Sequence, residues 1–284
     1  MLTNPNTLGM FDEHIEKVIA LVHGCGGLMY GDGANLNALL GIVRPGDLGF
    51  DMMHFNLHKT FAVPHGGGGP GVGPVGVGPK LVDFLPEPLV GIVEDGNDEM
   101  PPLYGFVKPA KTIGRMKAFH GHFGGGFVRS FTYIAMHGSD GLKDIAQYAV
   151  LNANYLQARL RDHYHIPFDR ICMHEFVAEG QFEGSDVRAL DISKRLMDYN
   201  FHPPTNYFPL IVHEALMIEP TETENKDTLD AFADAMIQIA KEAKSNPEIV
   251  KSAPNNTQFG RMDEVKAARE LVLCCWLPEG YDLS

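Results

Sequence analysis

Leu28-Met29-Tyr30-Gly31-Asp32-Gly33 and Phe50-Asp51-Met52-Met53-His54-Phe55-Asn56-Leu57-His58-Lys59-Thr60 are two short apolar runs, each ending in small or polar residues. Runs of this length, bounded by glycine or asparagine, read as buried strands. Before the first lies a helical pattern over 12–23, with Ile15, Val18, Ile19 and Val22 at i, i+3, i+4, i+7 and Gly24 as the stop. Helix, strand, loop, strand is the texture of an α/β layer. In open α/β sheets ligands bind beyond the carboxyl ends of the strands. Asp32 and Lys59 fall at such ends, 27 residues apart.

Further along comes His65-Gly66-Gly67-Gly68-Gly69-Pro70-Gly71-Val72-Gly73-Pro74-Val75-Gly76-Val77-Gly78, in which eight of fourteen residues are glycine. Glycine entropy and the prolines exclude a helix, so this is a loop where backbone passes close to something. Residues 80–111 continue as strand and loop. Residues 112–138 read as helical, 141–163 as a clearer helix with Leu142, Ile145, Ala149, Leu156 and Leu160 on one side, and Ile171–Val177 as a strand. A helix over 186–199, strand material over Tyr207–Ile218 and a helix over 226–244 complete the pattern. The change of pattern places a boundary near 110–140, with residues 1–110 before it, a connecting helical segment over 111–140 and an α+β stretch over 141–284 after it.

The whole chain has 284 residues and a net charge of −13, from 23 basic against 36 acidic side chains. No basic tract interrupts that background, so nucleic acid and anionic membrane are excluded as expected partners. No apolar run approaches the ~18 residues of a membrane span. The four cysteines, Cys25, Cys172, Cys274 and Cys275, form no CxxC pair. That fits a reducing, cytoplasmic compartment better than a disulfide framework or a zinc ribbon.

A lysine just after a strand and beside a glycine loop is placed for Schiff-base chemistry, since burial frees its amine for a carbonyl. An aspartate at the neighbouring strand end is placed to hold a protonated pyridine nitrogen. On spacing alone a surface lysine and a turn aspartate are the commoner reading. Gly71-x-Gly73-x-x-Gly76 matches a dinucleotide fingerprint in letters only, because Pro74 and Pro79 prevent the helix that the fingerprint requires. Histidines cluster at His54, His58 and His65, and again at His120 and His122. The four-residue spacing of His54 and His58 suits a metal on a helix, but the local pattern is strand and turn, so no metal is expected.

Longer strings carry more. They are Tyr30 to Ala38 (YGDGANLNA), Arg44 to Asp51 (RPGDLGFD), His54 to Phe61 (HFNLHKTF), Pro64 to Val77, Asn152 to Leu156 (NANYL), His174 to Val177 (HEFV), Phe201 to Thr205 (FHPPT) and Glu219 to Glu224 (EPTETE). Together they closely resemble glycine dehydrogenase (decarboxylating), the P protein of the glycine cleavage system, in its second-subunit form. The resemblance implies fold type I, the aspartate-aminotransferase-like α/β architecture, and pyridoxal 5′-phosphate as cofactor. It implies an internal aldimine at Lys59, Asp32 paired with the pyridinium nitrogen, Ala34 on the ring face and His58 near the cofactor.

The implied reaction is decarboxylation of glycine with transfer of the aminomethyl group to the lipoyl group of the H protein. The implied partners are P-protein subunit 1, the lipoylated H protein and a further copy in an oligomer. In this family a substantial segment precedes the position of Leu2, so the chain is expected to be a partial subunit, with an incomplete large domain and no activity in isolation. Two alternatives stay open: another fold type I decarboxylase or lyase, and a non-catalytic remnant that folds and associates.

Overall fold

The computed structural model describes residues 1–116 and 123–271. His120, His122, Cys274 and Cys275 lie outside the described residues. The first layer is a four-stranded sheet in the order β1 (Leu2–Thr3), β2 (Tyr30–Gly33), β3 (Met52–Phe55), β4 (Val75–Val77). The first three strands run parallel and β4 is antiparallel to β3. Helix α1 (Ile15–Gly24) buries Ile15 and Ile19 against Met29. The Asp12 carboxylate accepts from the His14 amide before its first turn.

Asp32 sits within β2 and faces His54 of β3 across the ladder, whereas the sequence pattern puts it just past the strand. The ladder reaches Gly33 because a side chain there has no room: a Cβ would lie 1.9 Å from the His54 carbonyl oxygen. After β3 the chain makes a single helical turn, α2 (Leu57–Thr60). The glycine-rich segment folds as a short 3-10 turn over Gly66–Gly68 followed by β4, so part of the expected loop is an added sheet strand. Strands β5 (Leu89–Glu94) and β6 (Leu103–Val107) form a separate hairpin.

The long helix α3 (Arg129–Leu160) joins the two helical stretches expected over 112–138 and 141–163; it starts at Arg129 and not near 112, and it breaks at Gly138, whose φ is 63°. Its second half buries Ile145, Ala149, Leu156 and Leu160. Three antiparallel strands in the order β7 (Phe176–Glu179), β9 (Ala215–Ile218), β8 (Thr205–Asn206) make the second sheet. Helices α4 (Ala189–Asp198) and α5 (Lys226–Ser245) pack with α3 over it. Leu229, Ala233, Met236 and Ala240 of α5 are buried, as their spacing predicts.

The strand expected over Tyr207–Ile218 shortens to Ala215–Ile218, because Tyr207 (φ 60°) and Glu214 (φ 45°) bend the chain out of extended geometry. The strand expected from Ile171 starts only at Phe176, and Ile171 itself is exposed. Short helices α6 (Pro247–Lys251) and α7 (Glu264–Arg269) follow. Among the described residues no helix is long and apolar enough to cross a membrane.

Candidate functional site

The two sheets meet at a cleft of about 530 Å³ that Asp32, Ala34, Lys59, Glu175 and Glu219 help to line. Lys59 reaches it from α2. In that one turn Leu57 and Thr60 are buried, three residues apart on one face, which leaves the lysine side chain exposed toward the cleft. Among the described residues no carboxylate oxygen lies within ion-pair distance of its amine.

Asp32 is fixed from two sides. Its Oδ1 accepts from the Ala34 amide at 3.0 Å and lies 3.2 Å from His54 Nε2. His54 Nδ1 is in turn 2.8 Å from the Tyr30 hydroxyl. When the tyrosine donates to Nδ1, the ring proton stays on Nε2 and faces the carboxylate at ion-pair distance. Burial, and then the Asp32 charge, push the Tyr30 phenol above its ordinary pKa, so it stays a donor. The second oxygen, Oδ2, takes no hydrogen bond among the described residues.

His58 points away from this group. The Val72 amide donates to its Nδ1 at 3.2 Å, and its ring lies 4.9 Å from that of His65. Burial is the main cause that holds it below the ordinary histidine pKa, so it is a neutral acceptor that pins the glycine-rich segment to α2. Three of the four residues singled out from the sequence thus line one cleft, and the fourth braces its rim.

The facing wall belongs to the second sheet. Phe176 of β7 pairs with Ile218 of β9, so one step beyond the ladder Glu175 comes opposite Glu219. Gly9 closes over this spot: a Cβ there would lie 1.7 Å from the Glu175 carbonyl oxygen, and its φ is +74°. Glu175 is only 2% exposed, and its Oε1 has no hydrogen-bond partner among the described residues. Burial first, and the Glu219 charge second, push its carboxyl up to about 8, against the pull of Lys59.

His174 is 1% exposed; burial, with Lys59 adding, lowers it to about 4, so the ring is neutral. Its Nε2 lies 3.6 Å from Glu175 Oε1 and 3.9 Å from Glu219 Oε1. Burial also raises Glu219, against an amide donated by Asn37 at 3.2 Å. Sequence spacing does not single out His174, Glu175 and Glu219 as site residues. Glu175 and Glu219 stand 44 residues apart in the chain, and only the β7–β9 register brings them together.

A family model described as glycine dehydrogenase, C-terminal domain, matches residues 145–258. The chain is 58% identical over 277 residues to a probable glycine dehydrogenase (decarboxylating) subunit 2 of Chlorobaculum tepidum, covering 97% of this chain and 56% of that protein. It is 56% identical over 274 residues to the protein of the same description from Listeria innocua, covering 96% of this chain and 55% of the relative. The chain therefore spans about half the length of the curated relatives it matches.

Among solved structures, an inhibitor-bound glycine decarboxylase (P-protein) of the glycine cleavage system superimposes with a TM-score of 0.69 at 21% identity, over 84% of this chain and 54% of that one. An apo cysteine desulfurase from Thermococcus onnurineus does so with a TM-score of 0.59 at 16% identity, over 83% of this chain and 58% of that one. At such identities the likeness concerns the fold, which is the α/β fold type I expected from the sequence.

Proposed function

Similarity to glycine dehydrogenase (decarboxylating) subunit 2 over nearly the whole chain is the premise from which we propose that this protein acts in the decarboxylation of glycine. In this reading pyridoxal 5′-phosphate is the cofactor, and the aminomethyl group passes to the lipoyl group of the H protein. The partners are P-protein subunit 1, the H protein and further copies in an oligomer.

The observation that carries the reading is the pairing of Asp32 and Lys59 in one cleft, each with an unused functional atom. The Lys59 amine is free of carboxylate partners and is the covalent attachment point. Asp32 Oδ2 is free to accept from a protonated ring nitrogen, while Oδ1 is spent on Ala34 and His54. When bound, the cofactor supplies an electron sink for the pair left behind as carbon dioxide departs.

The rest is done by side chains. A carboxylate beside a pyridine nitrogen favours its charged form. The Tyr30–His54 relay holds that carboxylate in one orientation and keeps a positive edge on its Oδ1. Ala34, small and on the cleft wall, leaves room for a flat ring. His58 acts at one remove, by holding Val72 and the glycine-rich segment against α2. Glu175, Glu219 and Glu222 line the opposite wall.

The test is a titration of the purified chain with pyridoxal 5′-phosphate, followed by visible absorbance. The expected outcome is the band of a lysine-linked cofactor in the natural chain and its absence in Lys59→Ala. A band of equal size in the variant excludes Lys59 as the attachment point.

A further inference from the structure

His174, Glu175 and Glu219 each offer one ligand atom, and these atoms lie within 4.8 Å of one another. Two of the three side chains are more than nine-tenths buried. Glu175 Oε1 points into the cluster with no donor among the described residues, and His174 Nδ1 also has no partner there. With the ring proton on Nδ1, Nε2 is a third acceptor aimed at the same point. Asn37 gives a single amide hydrogen to Glu219 from outside the cluster. Three acceptors thus converge where no positive donor stands. Lys59 shares the cleft, yet makes no ion pair with either glutamate.

We propose that His174, Glu175 and Glu219 form a receptor for the primary ammonium group of the amino-acid substrate, and that Glu175 takes one of its protons so that the amine is neutral and nucleophilic in the cleft beside Lys59. The inference rests on the reading of Lys59 given above. An ammonium has three N–H donors for these three acceptors, at charge-assisted lengths of about 2.7–2.9 Å. One N–H bond of the substrate breaks and its electron pair stays on nitrogen. An O–H bond forms on Glu175, so that an ion pair becomes a neutral pair.

Burial favours that neutral pair. Glu175 is raised to about 8 with no ammonium bound, so the arriving ammonium first displaces its proton to solvent; an α-amino group titrates near 7.7–8.0, and the return of one ammonium proton to the carboxylate is then close to balanced. The charged groups facing Glu175 are Lys59 from α2, Glu219 and Glu222 beyond β9, and Asp32 across the cleft, with Cys172 and His174 on its own segment. Lys59 is the only cation among them, and its charge opposes a divalent metal ion at this point more strongly than a monovalent ammonium.

The experiment is an NMR titration of the full chain without cofactor, using methylammonium chloride, sodium acetate and manganese chloride as separate probes. Methylammonium is expected to bind and acetate not to. Glu175→Gln and Glu219→Gln are each expected to weaken methylammonium by about tenfold or more, the loss of one charge-assisted bond. Glu219 opens to the cleft, so its variant carries the test if Glu175→Gln does not fold. Lys59→Ala is expected to keep or improve methylammonium binding while losing the cofactor band. The ammonium receptor and the cofactor attachment therefore fail separately. Methylammonium binding that neither glutamine variant weakens overturns the proposal. So does manganese binding that both variants abolish, which makes the cluster a metal centre.

Discussion

On the first-sheet side of the cleft, Asp32 has its Oδ1 taken by an amide and by an imidazole that is itself held by Tyr30. On the second-sheet side, Glu175 is more deeply buried and its Oε1 has no donor at all among the described residues. The two carboxyl groups share one cleft and answer burial differently. The first is oriented by fixed neighbours and keeps one oxygen for a single task. The second is raised to about 8 because nothing compensates its desolvation, and it is poised to change charge when a cation arrives. A site that must both hold a cofactor and handle protons needs one group of each kind.

The largest effect expected from breaking this contrast is at Asp32. Asp32→Asn keeps an oxygen for the Ala34 amide, so the fold and melting temperature should change little. The charge beside the ring nitrogen is lost, and glycine decarboxylation by the complete enzyme should fall by about a hundredfold or more. The pair of measurements is carbon dioxide release and thermal melting. Near-normal release assigns the charge to some other group, while a large drop in melting temperature makes Asp32 structural.

A smaller effect concerns stability against pH. Glu175 is raised from 4.5 to about 8, so the folded chain holds a proton that the unfolded chain loses above pH 4.5. Stability therefore falls as pH rises from about 4.5 to 8 on account of this residue. His174 is lowered from 6.5 to about 4, so the unfolded chain binds the extra proton and stability rises with pH over that window. The two slopes oppose each other below pH 6.5, and only the Glu175 slope remains between 6.5 and 8. Urea unfolding of Glu175→Gln should lose that upper slope, with a gain on the order of a few kcal/mol at pH 8. An unchanged slope between pH 6.5 and 8 places the titration elsewhere.

Much of this arrangement is visible in the sequence, and the remainder has a physical reason for being hidden. Strands β2 and β3 and the placement of Asp32 and Lys59 near their ends follow from short apolar runs with polar stops. The faces of α5 and of the second half of α3 follow from helical spacing. The first turns of α3 lie within the helical stretch expected over 112–138, but they carry no apolar stripe, since Phe131 and Met136 are exposed there. Ile171 lengthens the apparent strand although it too is exposed. The glutamate wall is invisible, because cross-strand register is a property of pairing between distant segments and leaves no local pattern. The His54 contact to Asp32 is hidden for the same reason, since it depends on the β2–β3 register.

The smallest effect sharpens the ordered side. Tyr30→Phe removes the hydroxyl that holds His54 Nδ1 and leaves the rest of the Asp32 environment in place. A loss of about 1 kcal/mol in urea unfolding is expected, the usual size for one hydrogen bond. Cofactor attachment at Lys59 should persist, with a shifted pH dependence of its absorbance as the relay loses its outer member. A loss of attachment shows that the tyrosine does more than orient the histidine.

In the proposed function Lys59 is the residue that takes the cofactor in the cleft between the two walls. The direct measurement is borohydride reduction of the chain after incubation with pyridoxal 5′-phosphate, followed by peptide mapping of the reduced adduct. The expected result is modification of the peptide carrying Asn56-Leu57-His58-Lys59-Thr60, with the mass increment on Lys59 and none on other lysines at equal cofactor. Modification spread over surface lysines, or concentrated on a lysine outside the cleft, contradicts it.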